Sequence, residues 1–299
     1  MKQISFIGLG HMGNPMVKNL LRAGFSVKVF DLATEAIQAL VSQGATATSS
    51  IKEAASEADI IITMLQTGQQ VKAVCFGENG LFAHAKKDIL YIDSSSIEIT
   101  ATNELHKAAE NQGIAMLDAP VSGGVAGAEA ATLTFMVGGS ETNFQRGLPL
   151  FEKMGKKIVH AGLAGSGQAA KICNNLILGI SMIAVSEGFS LGKKLGLDPK
   201  KFFEISSNAS GQCWSMTSYC PVPGLVEKAP SNNDFKPGFT AKMMLKDLRL
   251  GQLAAESVNA AIPLGAEAAE LYTLFVNQGK GELDFSAIIT LLNGAGVST

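Results

Sequence analysis

The feature that most constrains this chain is a glycine-rich turn close to its N-terminus. The short β-rich run Ile4–Ile7 precedes it, and a stretch with helical periodicity, Met12–Ala23, follows it. In a G-x-G-x-x-G turn the first glycine permits a tight turn, the second admits a pyrophosphate, and the third lets helix and strand pack closely. The helix N-terminus adds N–H groups and a positive dipole for the phosphates. The segment predicts a βαβ dinucleotide-binding unit. The residues expected to bind the cofactor here are Gly8, Leu9, Gly10, His11, Met12 and Gly13.

An acidic residue ends the second predicted strand. That strand is Val27–Phe30, and Asp31 follows it, about twenty residues after the glycine turn, as in dinucleotide-binding folds. A carboxylate there can accept hydrogen bonds from the adenosine ribose hydroxyls and would repel a 2′-phosphate. Leu32 comes next, so no arginine stands there to bind such a phosphate. We therefore expect NAD as the cofactor, the alternative being that Asp31 is a surface residue that starts a turn.

Strand and helix patterns alternate up to His160, and every long pattern after Gly167 is helical. This order is typical of a doubly wound parallel sheet followed by a helical region. We predict an α/β Rossmann domain over 1–163 and an all-helical domain over 164–299. The further predicted strands are Ile60–Leu65, Ile89–Ile92, Ala115–Leu117, Phe135–Gly138 and Ile158–His160.

Loops that follow the strands carry further candidate residues, because ligands of such sheets lie past the carboxyl ends of the strands. Met64, Leu65 and Gln66 end one strand, and Ser96 follows the next, where it could contact the nicotinamide side of the cofactor. The segment Ser122-Gly123-Gly124 offers successive backbone N–H groups, which could hold a substrate carboxylate. The alternative is that these loops only turn the chain.

A polar face interrupts the apolar stretch after Gly167. Lys171, Asn174 and Asn175 stand at i, i+3 and i+4, so they share one side of a helix. Burial favours the neutral amine, which is the form that a general base needs. Two alternatives remain open, a lysine whose stem is buried while its amine reaches solvent and a structural network of amides.

Composition excludes several other classes of function. The net charge is -2 and no basic stripe is present, so we expect no nucleic-acid partner. Cysteines and histidines are dispersed, which predicts no metal site. The uncharged run Ile172–Ser186 falls short of the ~18–20 residues of a membrane-spanning helix. The N-terminal apolar run ends at Gly8 without the pattern of a secretory signal. We expect a cytoplasmic protein that binds no membrane.

Four ordered motifs now point to a family. They are Phe6–Gly13, Asp118–Gly124, Gly167–Asn175 and Lys246-Asp247-Leu248. Together they resemble the β-hydroxyacid dehydrogenases, most closely the 3-hydroxyisobutyrate dehydrogenases, over essentially the whole chain. The resemblance implies a Rossmann domain followed by an all-helical domain, the latter for substrate binding and dimerisation. It also implies NAD-dependent oxidation of 3-hydroxyisobutyrate or a close small 3-hydroxy acid, a reaction of valine degradation, by a homodimer or homotetramer.

The resemblance also implies residue roles. Lys171 is the implied catalytic residue, Asn175 would orient the substrate, and Ser122, Gly123 and Gly124 would hold its carboxylate. Near the cofactor it implies Phe239, Lys246 and Asp247. Trp214 and Tyr219 correspond to a loop that meets the substrate, and core packing is the alternative reading for them.

The choice of substrate stays open within the family. Members that reduce glyoxylate or succinic semialdehyde tend to carry Asn-Arg after the second strand and use NADP, whereas this chain has Asp31-Leu32. Tartronate semialdehyde, 3-hydroxypropionate and serine remain alternative substrates. A non-catalytic NAD-binding scaffold is the alternative outside enzymology, and the presence of Lys171 argues against it.

Overall fold

The computed structural model of the chain describes residues 2–293. It forms two compact units, the first ending at Lys171 and the second beginning at Ile172. The first unit contains all the strands of the sheet, and the described part of the second is helical.

Strands and helices alternate through the first unit, as the sequence pattern predicts. Its strands are β1 (Gln3–Ile7), β2 (Ser26–Phe30), β3 (Thr46–Ala47), β4 (Ile60–Thr63), β5 (Leu90–Asp93), β6 (Ala115–Asp118), β7 (Val121–Ser122), β8 (Leu133–Gly138) and β9 (Gly155–Gly162). Its helices are α1 (Gly13–Arg22), α2 (Thr34–Val41), α3 (Ile51–Ser56), α4 (Gly68–Cys75), α5 (Leu81–His84), α6 (Ile99–Asn111), α7 (Gly124–Glu129) and α8 (Glu141–Met154), and α9 (Ser166–Lys194) begins in it. The two-residue strands β3 and β7 are too short to show a period, so the sequence did not predict them.

The sheet has the order β3-β2-β1-β4-β5-β6-β8-β7, with β9 beside β8. Its pairs from β3 to β6 are parallel, which confirms the predicted doubly wound sheet there. Strand β8 departs from this, because it runs antiparallel to both β6 and β7. A parallel return needs a crossover of about a dozen residues or more, usually a helix, and the short α7 makes no such crossover here.

The register aligns the strands at their carboxyl ends. Ile7 pairs with Phe30 on one side and Thr63 on the other, Thr63 pairs with Asp93, and Asp93 pairs with Asp118. The loops that follow these residues therefore leave from one edge of the sheet. This edge is where an open α/β sheet binds its ligands.

Both faces of the sheet are covered, because neighbouring residues of one strand enter different cores. Phe6 and Ile62 belong to one buried cluster, whereas Ile7 and Ile61 belong to another. Successive side chains of a strand point to opposite faces, so a strand covered on both sides reads as a continuous apolar run. This explains why Ile60–Thr63 is buried throughout.

The second unit contains the remainder of α9 and the helices α10 (Pro199–Ser206), α11 (Trp214–Thr217), α12 (Ala241–Ser257), α13 (Pro263–Phe275) and α14 (Ile289–Leu292). Its core brings Met182 and Ile183 of α9 against Met244, Leu248 and Tyr272. Within residues 2–293, α9 is the one helix long and apolar enough to cross a membrane by length and composition alone. Core helices of soluble proteins meet the same criterion.

Candidate active site

The three glycines of the N-terminal turn occupy distinct environments. A Cβ on Gly8, whose φ is +94°, would lie 2.3 Å from the carbonyl oxygen of Met64, and one on Gly13 would lie 1.9 Å from that of Gly8. Among the residues that the structure describes, and apart from the chain neighbours of Gly10, no atom lies within 4 Å of the corresponding position on Gly10. The fold itself therefore requires glycine at 8 and 13, while Gly10 leaves open space. That space suits the close approach of a pyrophosphate to the backbone.

Asp31 follows β2 beside this turn. Its Oδ2 accepts the N–H of Leu9 at 2.6 Å, and its Oδ1 accepts the N–H of Ala33 at 2.8 Å. The side chain of Leu32 is almost fully exposed. The carboxylate thus holds the glycine turn in place through hydrogen bonds. It lies where a ribose hydroxyl would bind, and residue 32 provides no cation beside it. These residues fit NAD.

A buried hydrogen-bond network joins the ends of β4 and β5. Asp93 Oδ1 accepts the hydroxyls of Thr63 at 2.8 Å and Ser95 at 2.6 Å. The Ser95 hydroxyl oxygen in turn accepts the N–H of Leu65 at 2.9 Å. Loops 64–66 and 94–97, which carry Met64, Leu65, Gln66 and Ser96, are therefore fixed to each other. The sequence analysis predicted site residues in the loops after the strands, but it did not single out Asp93 or Ser95.

Asp93 lies in a low-polarity environment. Burial raises its pKa from 3.8 to about 6, while the hydrogen bonds from Ser95 and Thr63 oppose the change. Its Oδ2 is buried and accepts no hydrogen bond from residues 2–293. Behind Asp93, the hydroxyl groups of Tyr91 and Thr63 share a hydrogen bond, and the thiol of Cys75 donates to the Tyr91 hydroxyl. Burial raises the pKa of both Tyr91 and Cys75. The charge of Asp93 is therefore sensitive to pH near neutrality.

The segment after β6 has a backbone shape that favours glycine. Gly123 has φ +134° and Gly124 has φ +63°, and α7 begins at Gly124. Ser122 and Gly124 are half-buried, whereas Gly123 is exposed. Successive backbone N–H groups in such turns can form a concavity for an anion. This geometry suits the carboxylate role expected for Ser122, Gly123 and Gly124.

Asp118 holds the start of α9. Its Oδ1 accepts the N–H of Gly165 at 2.8 Å and its Oδ2 accepts the N–H of Gln168 at 3.0 Å. Nε2 of His106 lies 2.8 Å from the same Oδ1. The carboxylate acts as a helix N-cap supplied by a distant strand, at the positive end of the dipole. A Cβ on Gly167 would meet Asp118 at 2.6–2.8 Å, which explains the glycine in the Gly167–Asn175 motif.

Lys171 and Asn175 lie one turn apart on α9, and both are buried. Asn175 Oδ1 accepts Nδ2 of Asn174 at 3.0 Å, and its own Nδ2 donates to Oδ2 of Asp247. Nζ of Lys246 lies 3.1 Å from Oδ1 of Asp247. The structure thus joins Asn175, Asp247 and Lys246 in one polar cluster. The amide network considered for Asn174 and Asn175 is present and extends to a carboxylate.

The aromatic candidates form a stack. The rings of Trp214 and Tyr219 are 4.8 Å apart, and Tyr219 is 5.3 Å from Phe285. The Tyr219 hydroxyl donates to Asp284 at 2.9 Å, and burial raises the pKa of Tyr219. Phe239 packs edge-on against Phe285 at 5.7 Å. Trp214 is half exposed and free to present a ring face, whereas Tyr219 is held from both sides, as the packing alternative expects.

Comparison with known proteins agrees with this description. Residues 3–162 match the NAD-binding domain of 6-phosphogluconate dehydrogenase. Residues 165–292 match a family model described as NAD-binding of NADP-dependent 3-hydroxyisobutyrate dehydrogenase.

Individual relatives cover nearly the whole chain. An NAD-dependent L-serine dehydrogenase from Pseudomonas aeruginosa is 46% identical, over 98% of both chains. A probable 3-hydroxyisobutyrate dehydrogenase from Mycobacterium tuberculosis is 47% identical, over 98% of both chains. The solved structure of Mycobacterium tuberculosis 3-hydroxyisobutyrate dehydrogenase with L-serine has a TM-score of 0.94 and 46% identity, and it covers 98% of this chain and 100% of its own.

These findings confirm the predicted fold class, the NAD cofactor and the predicted class of enzyme, an oxidoreductase that acts on CH–OH. The matches also cover both the sheet and the helical part of the chain. The chain belongs to the β-hydroxyacid dehydrogenase family, with the 3-hydroxyisobutyrate dehydrogenases among its near relatives.

Proposed function

We propose that this chain oxidises 3-hydroxyisobutyrate, or a close small 3-hydroxy acid, to the semialdehyde with NAD as the hydride acceptor. The observation that carries the proposal is the polar cluster of Asn175, Asp247 and Lys246, which begins one turn after Lys171 on α9. An amide, a carboxylate and amines are groups that can orient a hydroxy acid and move its proton. Relatives named 3-hydroxyisobutyrate dehydrogenase support the choice of substrate.

In the proposed reaction Lys171 takes the proton of the substrate hydroxyl, directly or through one water, as general base. NAD⁺, which the glycine turn Gly8–Gly13 and Asp31 would hold, would supply the acceptor for the hydride that leaves the carbinol carbon. The alcohol thereby loses two electrons and becomes an aldehyde, and Lys171 passes its proton to solvent. Backbone N–H groups of Ser122, Gly123 and Gly124 hold the substrate carboxylate. Asn175 orients the substrate through an amide that Asp247 keeps in one orientation.

The remaining candidates are assigned to the cofactor and the substrate pocket. Asp31 favours NAD over NADP because its carboxylate would repel a 2′-phosphate and Leu32 offers no cation. We assign Trp214 and Tyr219 to the substrate pocket, where Tyr219 would support the half-exposed ring of Trp214 that it stacks against. We assign to the cofactor the glycine turn Gly8–Gly13 and the residues Asp31, Met64, Leu65, Gln66, Ser96, Phe239, Lys246 and Asp247.

Replacement of Lys171 tests the proton-transfer role. General acid–base catalysis contributes about 10²–10⁴-fold, so Lys171→Ala should lower kcat at least about 100-fold. The Kd of NADH, measured by fluorescence titration, should change little. Lys193→Ala is the matched control, since Lys193 is an exposed lysine in the last turn of the same helix. Near-normal turnover by Lys171→Ala would remove Lys171 from the mechanism.

L-Serine is a second candidate substrate. A relative with 46% identity is named an NAD-dependent L-serine dehydrogenase, and the solved structure named above includes L-serine. Serine has the carbinol and carboxylate of 3-hydroxyisobutyrate but an ammonium in place of the methyl group, so the same residues could act on it. Values of kcat/KM for both enantiomers of each acid, with 3-hydroxypropionate for comparison, decide between them. A clear preference for serine would replace the proposed substrate and its place in valine degradation.

We also propose a cytoplasmic homodimer or homotetramer, without a membrane or nucleic-acid partner. Large apolar side chains are exposed in the second unit, for example Ile177, Leu253 and Leu264, each more than half accessible. Association through the helices of this unit would cover these side chains, and large exposed apolar patches often mark a protein interface. Light scattering coupled to gel filtration measures the assembly, and a monomer at micromolar concentration would contradict this part of the proposal.

A further inference from the structure

Gln168 is a fully buried polar residue in the first turn of α9, three residues before Lys171. Its Nε2 donates to the carbonyl oxygen of Ser95 at 2.7 Å, and its Oε1 accepts the N–H of Ile97 at 3.2 Å. A side-chain amide has the donor and acceptor of a peptide group. It therefore bridges the two backbone groups that flank Ser96.

The backbone of Gln168 is fixed as firmly as its side chain. Its N–H donates to Asp118 Oδ2 at 3.0 Å, and the N–H of Gly165 donates to Oδ1 at 2.8 Å. A Cβ on Gly167 would lie 2.5 Å from the carbonyl oxygen of Met136, so the helix start lies directly against β8. The amide of Gln168 thus reaches loop 94–97 from a rigid base.

Loop 94–97 is also tied down on its other side. Asp93 Oδ1 accepts both the hydroxyl and the N–H of Ser95, and the Ser95 hydroxyl accepts the N–H of Leu65. The contacts with Gln168 complete this set by adding the carbonyl of Ser95 and the N–H of Ile97. Two loops with candidate cofactor residues and the helix turn that carries Lys171 therefore belong to one continuous hydrogen-bonded structure.

We propose that Gln168 is a positioning residue for hydride transfer, because its amide holds the backbone around Ser96 at a fixed distance from the helix turn of Lys171. The proposal rests on the roles assigned above to Lys171 and Ser96. Hydride and proton transfer both depend on close alignment, and a misplacement of about 1 Å can cost about 100-fold in rate. One glutamine contacting the backbone of both segments restricts such movement.

Two variants separate positioning from packing. Gln168→Met keeps the length of the side chain but leaves Ser95 C=O and Ile97 N–H without their partner. Gln168→Glu still accepts from Ile97 but sets an oxygen against the Ser95 carbonyl. For both we expect kcat per folded enzyme to fall about 10- to 100-fold. We also expect a several-fold higher Kd for NADH and a changed isotope effect on kcat with substrate deuterated at the carbinol carbon.

Ser5→Ala is the matched control. It removes another buried hydrogen bond of the same unit, from Ser5 Oγ to the carbonyl of Ala54 at 2.5 Å, in the middle of β1. It should lower the melting temperature but leave kcat and the isotope effect unchanged. If the Gln168 variants behave in the same way, with a lower melting temperature and normal kcat, isotope effect and NADH affinity, the positioning role is wrong.

Two further measurements complete the test. The first is the activity of Lys171→Ala, assayed in parallel. If Lys171→Ala is active, the proposed proton transfer by Lys171 is wrong. If Lys171→Ala is inactive but the Gln168 variants are fully active, only the positioning role of Gln168 is wrong. Hydrogen exchange of the Ile97 amide in the unaltered enzyme requires no variant to fold. Slow exchange is expected from its bond to Gln168, and exchange at the rate of an open loop would overturn the proposal.

Discussion

At the scale of single residues, two glycines of the N-terminal turn are needed for different reasons. The fold requires Gly13, whereas the bound cofactor would require Gly10. Gly13→Ala should destabilise the protein severely, since its Cβ would lie 1.9 Å from the Gly8 carbonyl oxygen. The methyl group of Gly10→Ala meets no atom of a non-neighbouring residue between 2 and 293 within 4 Å, so the free energy of unfolding should stay within about 1 kcal/mol of the original. The NADH affinity of this variant should nevertheless fall at least about tenfold, because the methyl group occupies the space for the pyrophosphate.

Urea unfolding and NADH titration of the two glycine variants check this contrast. Gly13→Ala serves as the reference for a fold defect, and Gly10→Ala for a binding defect. A Gly10→Ala protein that binds NADH normally would mean that the pyrophosphate does not approach residue 10.

Asp93 predicts a particular dependence of stability on pH. Burial raises its pKa from 3.8 to about 6 in the folded protein, so between these values the folded state binds more protons than the unfolded state. The contribution of Asp93 to the free energy of unfolding is therefore largest below about pH 4. It declines as the pH rises from there and is lost once the pH has passed about 6. The loss is on the order of 3 kcal/mol, from 1.36 kcal/mol per pKa unit.

Asp93→Asn removes this titration while keeping an oxygen for Ser95 and Thr63. The free energy of unfolding, measured with urea from pH 4 to pH 7.5, should decrease with pH more steeply in the unaltered protein than in the variant. Parallel profiles for the two proteins would contradict the raised pKa.

At the scale of elements, α9 depends on a carboxylate from another strand for its N-terminal cap. Asp118→Asn leaves one oxygen for the N–H groups of Gly165 and Gln168 and turns an NH₂ group toward a donor. We expect a loss of about 1–3 kcal/mol in the free energy of unfolding. The value of kcat should fall as well, since Lys171 lies in the next turn of the same helix.

The matched control for Asp118 is another helix cap. Ser140→Ala removes the hydroxyl that accepts the N–H of Asn143 at the start of α8. It should cost about 1 kcal/mol and leave kcat unchanged. If Asp118→Asn is stable and fully active, the start of α9 is held by other means.

Most elements could be predicted from the sequence because their signals are local. The helix α1, predicted over Met12–Ala23, and the strand ends at Ile7 and Phe30 follow from periodicity and turn residues. The antiparallel return of β8 could not be predicted in this way, because pairing direction depends on how the connection crosses the sheet.

The residues of the candidate site also include some that the sequence predicted and some that it did not. Asn175, Lys246 and Asp247 were predicted from motifs far apart in the sequence, and the structure joins them. Gln168 and Asp118 stand inside the same motifs but were not predicted as site residues. Their roles consist of hydrogen bonds to backbone atoms of distant segments, and no spacing in the sequence reveals those partners.

At the scale of the whole molecule, the proposed roles predict how NADH changes hydrogen exchange. Binding should slow exchange in segments 8–13, 64–66 and 94–97 of the first unit, and in segment 239–247 of the second. Helix α10 has no buried residue and serves as the reference that should not change. Unaltered exchange over 239–247 would remove Phe239, Lys246 and Asp247 from the cofactor site.

The contacts of Asp31 have a consequence for anyone who wishes to convert this enzyme to the phosphorylated coenzyme. Both oxygens of that carboxylate already accept backbone N–H groups, one of them from Leu9 inside the glycine turn. Replacing Asp31 by a small neutral residue would remove the repulsion of a 2′-phosphate. It would also remove the hydrogen bonds that hold the glycine turn in place. A successful redesign therefore has to supply a new acceptor for Leu9 as well as a cation near position 32, and single replacements should give weak binding of both coenzymes.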